Sequence, residues 1–550
     1  MVFTVTRHLG ETNEQTTEQT IQGKGEEHMM PGSMTNGGTI DLDPTIPAFG
    51  PDDDVQQLGR THFIGIGGAG MSVLAEMLHA RGVEVGGSDR EANAKTQRLE
   101  SLGISVAIGQ AAANVEGART VVYSSAIRGD NPEIVAAHEQ GSRIVHRSDI
   151  LALLMHGKRA VTVAGAHGKT TTSSLLAHIL VTAGTGALAD PSYAIGGSIQ
   201  RPDGTSSDGG HAGTGDVLVA EADESDGSFL KYHPDVAIIT HAEADHLDHY
   251  HDEEHYQAAF VEYAGHAHDR VIISIDDDGA LGILQALDPS VAARAIAYGT
   301  RKLAAAELNG AAFARIEAER EEAGSGEERF TLHIPGDAFD GVADTRVPVA
   351  LRIPGAHNAR NASAAILAAV QLGLEAHAAA ASVLDFAGAA RRFQVRGYEK
   401  GVSVIDDYAH HPTEIRALLE AARRRYPQAG IHVLFQPHLF SRTKYFAHEF
   451  AEALSLADDV IVSGIYPARE RQEDFPGIGA SSIVSAAAEL PHEPPTGWIR
   501  AVEDMHTAAQ MIVMRAHHDD VILTVGAGDI TDMDPVLLHA LQAHRDACEA

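Results

Sequence analysis

Val163-Ala164-Gly165-Ala166-His167-Gly168-Lys169-Thr170-Thr171-Thr172 decides how this chain is read. An apolar strand-like run, Arg159 to Val163, precedes it, and a helix-like run, Ser173 to Leu180, comes after it. A strand, a glycine turn, Lys-Thr and a helix start together form a phosphate cradle. Backbone N–H groups and the positive helix end hold oxyanions, the lysine neutralises charge, and a hydroxyl reaches a metal. Val163 stands where the first glycine of the common loop would be, so this is the shorter form Gly-x-His-Gly-Lys-Thr.

A second glycine loop lies upstream. Thr61 to Gly70 includes a short apolar strand and opens into Met71 to Ala80, whose apolar residues recur at helical spacing. Gly65, Gly67 and Gly70 fit G-x-G-x-x-G, and Asp89 lies about 20 residues on, after a strand at Val83 to Val85. The pattern predicts a diphosphate on a helix N-terminus and leaves NAD, FAD and a UDP-sugar open. A nicotinamide oxidoreductase would fit this loop alone. The second phosphate loop and the acidic strand ends beyond it weigh against that reading.

Val217 to Ala220 reads as a buried strand delivering Glu221-Ala222-Asp223-Glu224-Ser225-Asp226, carboxylates suited to Mg²⁺ beside ATP. Val236 to Thr240 delivers Glu243-Ala244-Asp245-His246, where a histidine with flanking carboxylates suits a second divalent ion. Further strands, Val402 to Ile405, Val433 to Phe435 and Val521 to Val525, each end in polar residues and alternate with helices. That is the pattern of a doubly wound α/β domain with its site at the strand C-termini.

Length and composition bound the rest. At 550 residues the chain exceeds one core, and 44% apolar residues suffice for several. A formal net charge of −35 argues against nucleic-acid or anionic-membrane partners. Cys548 is the single cysteine, which excludes an intrachain disulfide and a cysteine metal cluster. No apolar stretch of membrane-spanning length and no signal-peptide h-region are found, so a cytoplasmic location is expected. Residues 1–55, rich in Thr, Glu, Gly and Gln, read as a disordered extension. Gly204 to Gly215 reads as a loop and Glu317 to Glu328 as a charged surface insertion.

Taken in order, HFIGIGGAGMS (62–72), GAHGKTTT (165–172), EADESDGSFL (221–230), EADHLD (243–248), HNARNA (357–362), RRFQ (391–394), DDYAHHPTEI (406–415) and FQPHLFSRT (435–443) resemble the Mur ligases, ATP-dependent amide-forming enzymes of peptidoglycan precursor synthesis. The resemblance spans roughly residues 60 to 530 and is nearest to the alanine-adding branch. It implies three α/β domains: a Rossmann-like UDP-sugar domain over 56–152, a central P-loop ATPase-like domain over 153–387 and a doubly wound amino-acid domain over 388–550.

The expected reaction joins L-alanine to the lactyl carboxylate of UDP-N-acetylmuramate, with ATP and Mg²⁺. A recycling ligase that joins a preformed peptide to the same sugar is the rival within the family. By resemblance, Gly65, Gly67, Gly68, Gly70 and Asp89 serve the UDP-sugar. Gly165, His167, Gly168, Lys169, Thr170, Thr171, His357, Asn361, Arg392 and Asp407 serve ATP, and Thr170, Glu221 and His246 the metal. Lys169, Glu221 and His246 carry catalysis, and Tyr408, His410 and Arg442 line the amino-acid pocket. Three positions depart from the family pattern. Leu439 replaces an Arg, leaving Arg442 to carry its contact. His241 replaces an Asn. Phe260 stands where later-acting sister ligases carry a carbamoylated Lys, which favours the alanine-adding branch.

Overall fold

The computed structural model describes residues 39–201, 205–318, 327–468, 470–490 and 497–549. Three sheets organise it, and each explains where one of the polar motifs ends up.

The first sheet has five parallel strands in the spatial order Ser105–Ile108, Val85–Asp89, Thr61–Ile64, Thr120–Tyr123 and Arg143–His146. The order reverses between Thr61–Ile64 and Thr120–Tyr123. A crevice opens at such a switch point beyond the strand C-termini. The glycine loop leaves the central strand at that point. The strand expected at Val83 to Val85 instead runs through Gly86 and Gly87 to Asp89.

Residues 39–55 overturn the expectation of disorder through residue 55. Ile40 is 2% exposed, and its N–H donates to the Gly129 carbonyl at 3.2 Å. The Ala48 N–H donates to Asp149 Oδ1 at 3.1 Å, and Arg143 stacks on Phe49 at 5.1 Å. A few apolar residues (Ile40, Phe49, Val55) anchor a segment whose composition alone is too polar for a core. Residues 1–38 lie outside the described residues.

The central sheet has ten strands. Seven are mutually parallel, from Ser192–Ala194 through Val217–Glu221, Arg159–Ala164, Val236–Ile239, Arg270–Ser274 and Ala295–Gly299 to Ala312–Ala318. Antiparallel strands complete both edges: Gly210–His211 on one, Glu328–Ile334 and Thr345–Leu351 on the other. The Gly204 to Gly215 segment therefore holds two short strands, Ser206–Ser207 and Gly210–His211, rather than only a loop. Of the charged insertion, residues 319–326 lie outside the described residues. Glu328 is 6% exposed rather than on the surface, and accepts the Gly355 N–H at 2.9 Å.

The third sheet runs Gln394–Glu399, Val402–Asp407, Val521–Val525, Ile431–Phe435, Asp459–Val462 and Ile499–Ala501, with only the first strand antiparallel. Central strands in all three sheets are buried and mostly apolar, because helices cover both faces. The polar motifs begin at or just beyond their C-terminal ends. Among the described residues, no helix is long and apolar enough to cross a membrane.

Candidate active site at the junction of three sheets

The phosphate loop leaves strand Arg159–Ala164 and enters helix Lys169–Ala183. Gly168 caps that helix at φ 85°, a left-handed conformation, and a Cβ there would lie 2.6 Å from Asn361 Oδ1. Only glycine meets both demands. No side chain caps the helix, so its first N–H groups remain for a ligand.

Lys169 Nζ donates to the Gly165 carbonyl at 2.8 Å and to both oxygens of Glu224 at 2.8 and 3.0 Å. Glu224 is fully buried. Burial opposes the lysine's charge, but Glu224 and Asp223 outweigh it and hold the ammonium more firmly protonated than usual. The role of Glu224 was not legible in the sequence, although it is the second glutamate of the acidic run beyond Ala220. Nothing in that run says which carboxylate turns inward.

Glu221 accepts the Gly196 N–H at 2.7 Å. Burial pushes its carboxyl pKa up, and Lys169 only partly offsets that. Asp223 has the opposite balance: burial would raise it, but Arg147, 2.7 Å away, and Lys169 hold it well below the carboxylate range. His246 sits at φ 55°, its N–H donating to Asp245 Oδ1 at 2.8 Å.

Lys169, Thr170, Glu221 and His246 line one cavity of about 620 Å³. Gly70 and Arg147 reach it from the first sheet, and Arg392, Tyr408 and His410 from the third. Arg391 and Arg392 stack on the Tyr408 ring at 5.0 and 5.3 Å, and His410 Nδ1 lies 3.2 Å from Glu414 Oε2.

A second cavity, about 140 Å³, is lined by His167, Gly168, Thr171, His357, Asn361, Arg392 and Asp407. Burial and the neighbouring Arg360 and Arg392 push His357 down to about 4. Burial raises Asp407 to about 6 against the pull of Arg392, while its oxygens accept the Phe393 and Ala409 N–H groups. Burial disfavours charge on His167, yet Glu414, 3.1 Å from Nδ1, and Glu243 raise it to about 9.

A third crevice, about 440 Å³, holds Gly65, Gly67, Gly68 and Asp89 at the switch point of the first sheet. Asp89 Oδ2 accepts the Gly67 N–H at 2.8 Å and ties the loop to the second strand. Gly70, from the same loop, faces the 620 Å³ cavity instead.

Arg442 departs from expectation. It is 8% exposed, lines none of these cavities, and donates to both Asp245 oxygens at 3.2 Å. Asp245 faces the large cavity in its place. Leu439 is 8% exposed at φ 71°, and its N–H donates to the Tyr466 carbonyl at 2.9 Å. Phe260 is fully buried against Phe229 and Tyr256, with ring centroids 5.3 and 5.1 Å away. It lines none of the three cavities.

Family models match in three consecutive pieces: "Mur ligase family, catalytic domain" over 60–159, "Mur ligase middle domain" over 163–369 and "Mur ligase, glutamate ligase domain" over 391–528. The UDP-N-acetylmuramate–L-alanine ligase of Bifidobacterium adolescentis is 68% identical over 94% of this chain and 100% of its own length. That of Renibacterium salmoninarum is 44% identical over 89% and 97%. The crystal structure of the UDP-N-acetylmuramate–alanine ligase from Thermotoga maritima superposes with a TM-score of 0.69 at 29% identity, covering 88% of this chain and 99% of that one. The chain belongs to the Mur ligase family, in its UDP-N-acetylmuramate–L-alanine ligase branch.

Proposed function

We infer that this chain is an ATP-dependent ligase that joins L-alanine to the lactyl carboxylate of UDP-N-acetylmuramate. One observation carries the reading. Groups from all three sheets meet at the 620 Å³ cavity: Gly70 from the sugar loop, Lys169 with Glu221 and His246, and Arg392 with Tyr408 and His410. A three-substrate reaction needs this convergence, because each domain brings one reactant to the others.

The lactyl carboxylate attacks the γ-phosphorus of ATP, the bond to the β-phosphate oxygen breaks, and ADP leaves with that oxygen's electron pair. The amine of L-alanine then attacks the acyl carbon, phosphate departs, and the ammonium proton is lost. Both steps concentrate negative charge where Lys169 and the uncapped helix N-terminus lie, which supports electrostatic stabilisation as the main contribution. Glu224 keeps the ammonium charged and aimed across the loop.

The donor set suits Mg²⁺. Thr170 and Glu221 offer oxygen beside the lysine, and Glu221 is a half-buried carboxylate only partly compensated by protein charge. With His246 they would hold an ion that shields the phosphate oxygens from the approaching carboxylate. Arg147 and Asp223 tie the sugar domain to this acidic edge and orient it.

Phosphate release tests the reading, with UDP-N-acetylmuramate, ATP and Mg²⁺ present and a panel of amine donors supplied singly. L-alanine is expected to support release, and amide product should appear in equal amount. Release with a preformed peptide but with no amino acid would overturn it in favour of a recycling ligase.

A further inference from the structure

His167, His241 and Glu243 each offer one ligand atom, and these three atoms lie within 4.8 Å of one another. None of the three belongs to the Thr170, Glu221 and His246 set. We propose that they form a separate site for a divalent transition ion of the Zn²⁺ type, at the seam between the central and C-terminal domains.

Two imidazoles and one carboxylate suit Zn²⁺, whereas Mg²⁺ prefers an all-oxygen shell. Bonds of about 2.0–2.2 Å place tetrahedral donors about 3.3 Å apart, so side-chain adjustments of about 1 Å bring the set onto one ion. A second observation points the same way. The His167 side chain is 15% exposed, but its ring nitrogens are shielded from solvent and face Glu414 at 3.1 Å and Glu243 at 3.7 Å without a well-aligned hydrogen bond. His411, 3% exposed, has both nitrogens in the same condition, and its ring centroid is 5.2 Å from that of His167. It stands as a candidate fourth donor.

Asp277 Oδ1 lies 3.3 Å from His241 Nε2, where a carboxylate orients a metal-bound imidazole. His167 and His241 both line the 140 Å³ cavity, so an ion held there obstructs whatever enters it.

The full chain, stripped of metal and free of nucleotide, is titrated with Co²⁺ as a spectroscopic stand-in for Zn²⁺. One equivalent is expected to give the visible bands of a tetrahedral ion, which Zn²⁺ then displaces. His241→Asn and Glu243→Gln should each weaken Co²⁺ binding by about 10-fold or more. Thermal unfolding of each variant confirms that it is folded. With free Zn²⁺ fixed by a chelator buffer, inhibition of turnover should be strong in the parent chain and relieved in His241→Asn. Bands unchanged in both variants, or absent from the parent chain, would overturn the site. Neither result bears on the ligase reading, which the amine-donor panel tests separately.

Discussion

The phosphate loop and the Pro437 to Thr443 loop both supply a cation near the large cavity, yet the two cations are employed differently. Lys169 leans on a carboxylate from its own domain, Glu224, a few residues beyond the end of a neighbouring strand, and still lines the cavity. Arg442 reaches across a domain boundary to Asp245 and lies behind the cavity wall. A cation paired locally remains available to a ligand. One spent on joining two domains acts on the ligand only through its partner. Residue type alone does not separate these cases, since each stands in the opening turn of a helix a few residues beyond a buried strand.

The largest effect should come from Lys169→Ala, with turnover falling on the order of 10³-fold or more, because no other side chain in the loop replaces its charge. UDP-sugar binding, which we assign to the first sheet, should persist in a calorimetric titration. Glu224→Gln should reduce turnover less, about 10-fold, by loosening the ammonium without removing it. Turnover near the parent value in the lysine variant would erase the contrast between the two cations.

The first region was legible because its information is contiguous. Gly165 to Thr172 encodes turn, charge and helix start within one short stretch, and they dictate the backbone geometry. Fold class was legible for a similar reason: apolar runs ending in polar clusters recur through all three sheets. The second region depends on pairings between distant segments. Asp245 with Arg442, Glu243 with Thr413 and His167 with Glu414 join residues about 170 to 250 positions apart, and spacing carries no trace of them. The packing of residues 39–55 was missed likewise, because three apolar anchors in a polar stretch look like noise until a partner surface is present.

Arg442 gives the next effect in size. Arg442→Ala leaves the Asp245 carboxylate, which His246 and the arginine hold well below its ordinary range against the pull of burial, without its cross-domain partner. Removing one member of a largely buried pair costs about 3–5 kcal/mol. KM should therefore rise for ATP and L-alanine together, since the two domains lose a shared tie. Adding Asp245→Asn should recover part of the lost thermal stability. A rise confined to L-alanine would return Arg442 to direct carboxylate recognition.

Leu439→Arg is expected to destabilise rather than to be tolerated. The side chain is buried at the start of helix Phe440–Tyr445, and a guanidinium placed there must find a partner or reach solvent. A loss of about 1–3 kcal/mol is expected from a polar group buried without compensation. Urea unfolding of the full chain would register it, and an unchanged or higher midpoint would show that the loop accommodates the cation.

The smallest effect separates the stability of the C-terminal domain from the ties at its seam. His432 lies on strand Ile431–Phe435 between Asp459, 3.2 Å from Nδ1, and Asp520, 3.0 Å from Nε2. Burial disfavours its charge, but the two carboxylates outweigh burial and raise its pKa above the ordinary value. Arg515 and Arg500 share Asp459, so the carboxylates are not wholly committed to the imidazole. A raised folded value means that this contribution is complete below the ordinary histidine pKa of about 6.5. It is lost as pH climbs through the folded value. His432→Gln should therefore lower the thermal midpoint by about 2–4 °C at pH 6 and by less at pH 9. Because His432 lines none of the three cavities, KM for ATP and L-alanine should stay at the parent values at both pH values. An equal midpoint loss at pH 6 and pH 9 would mean that the ring acts by packing and not by charge.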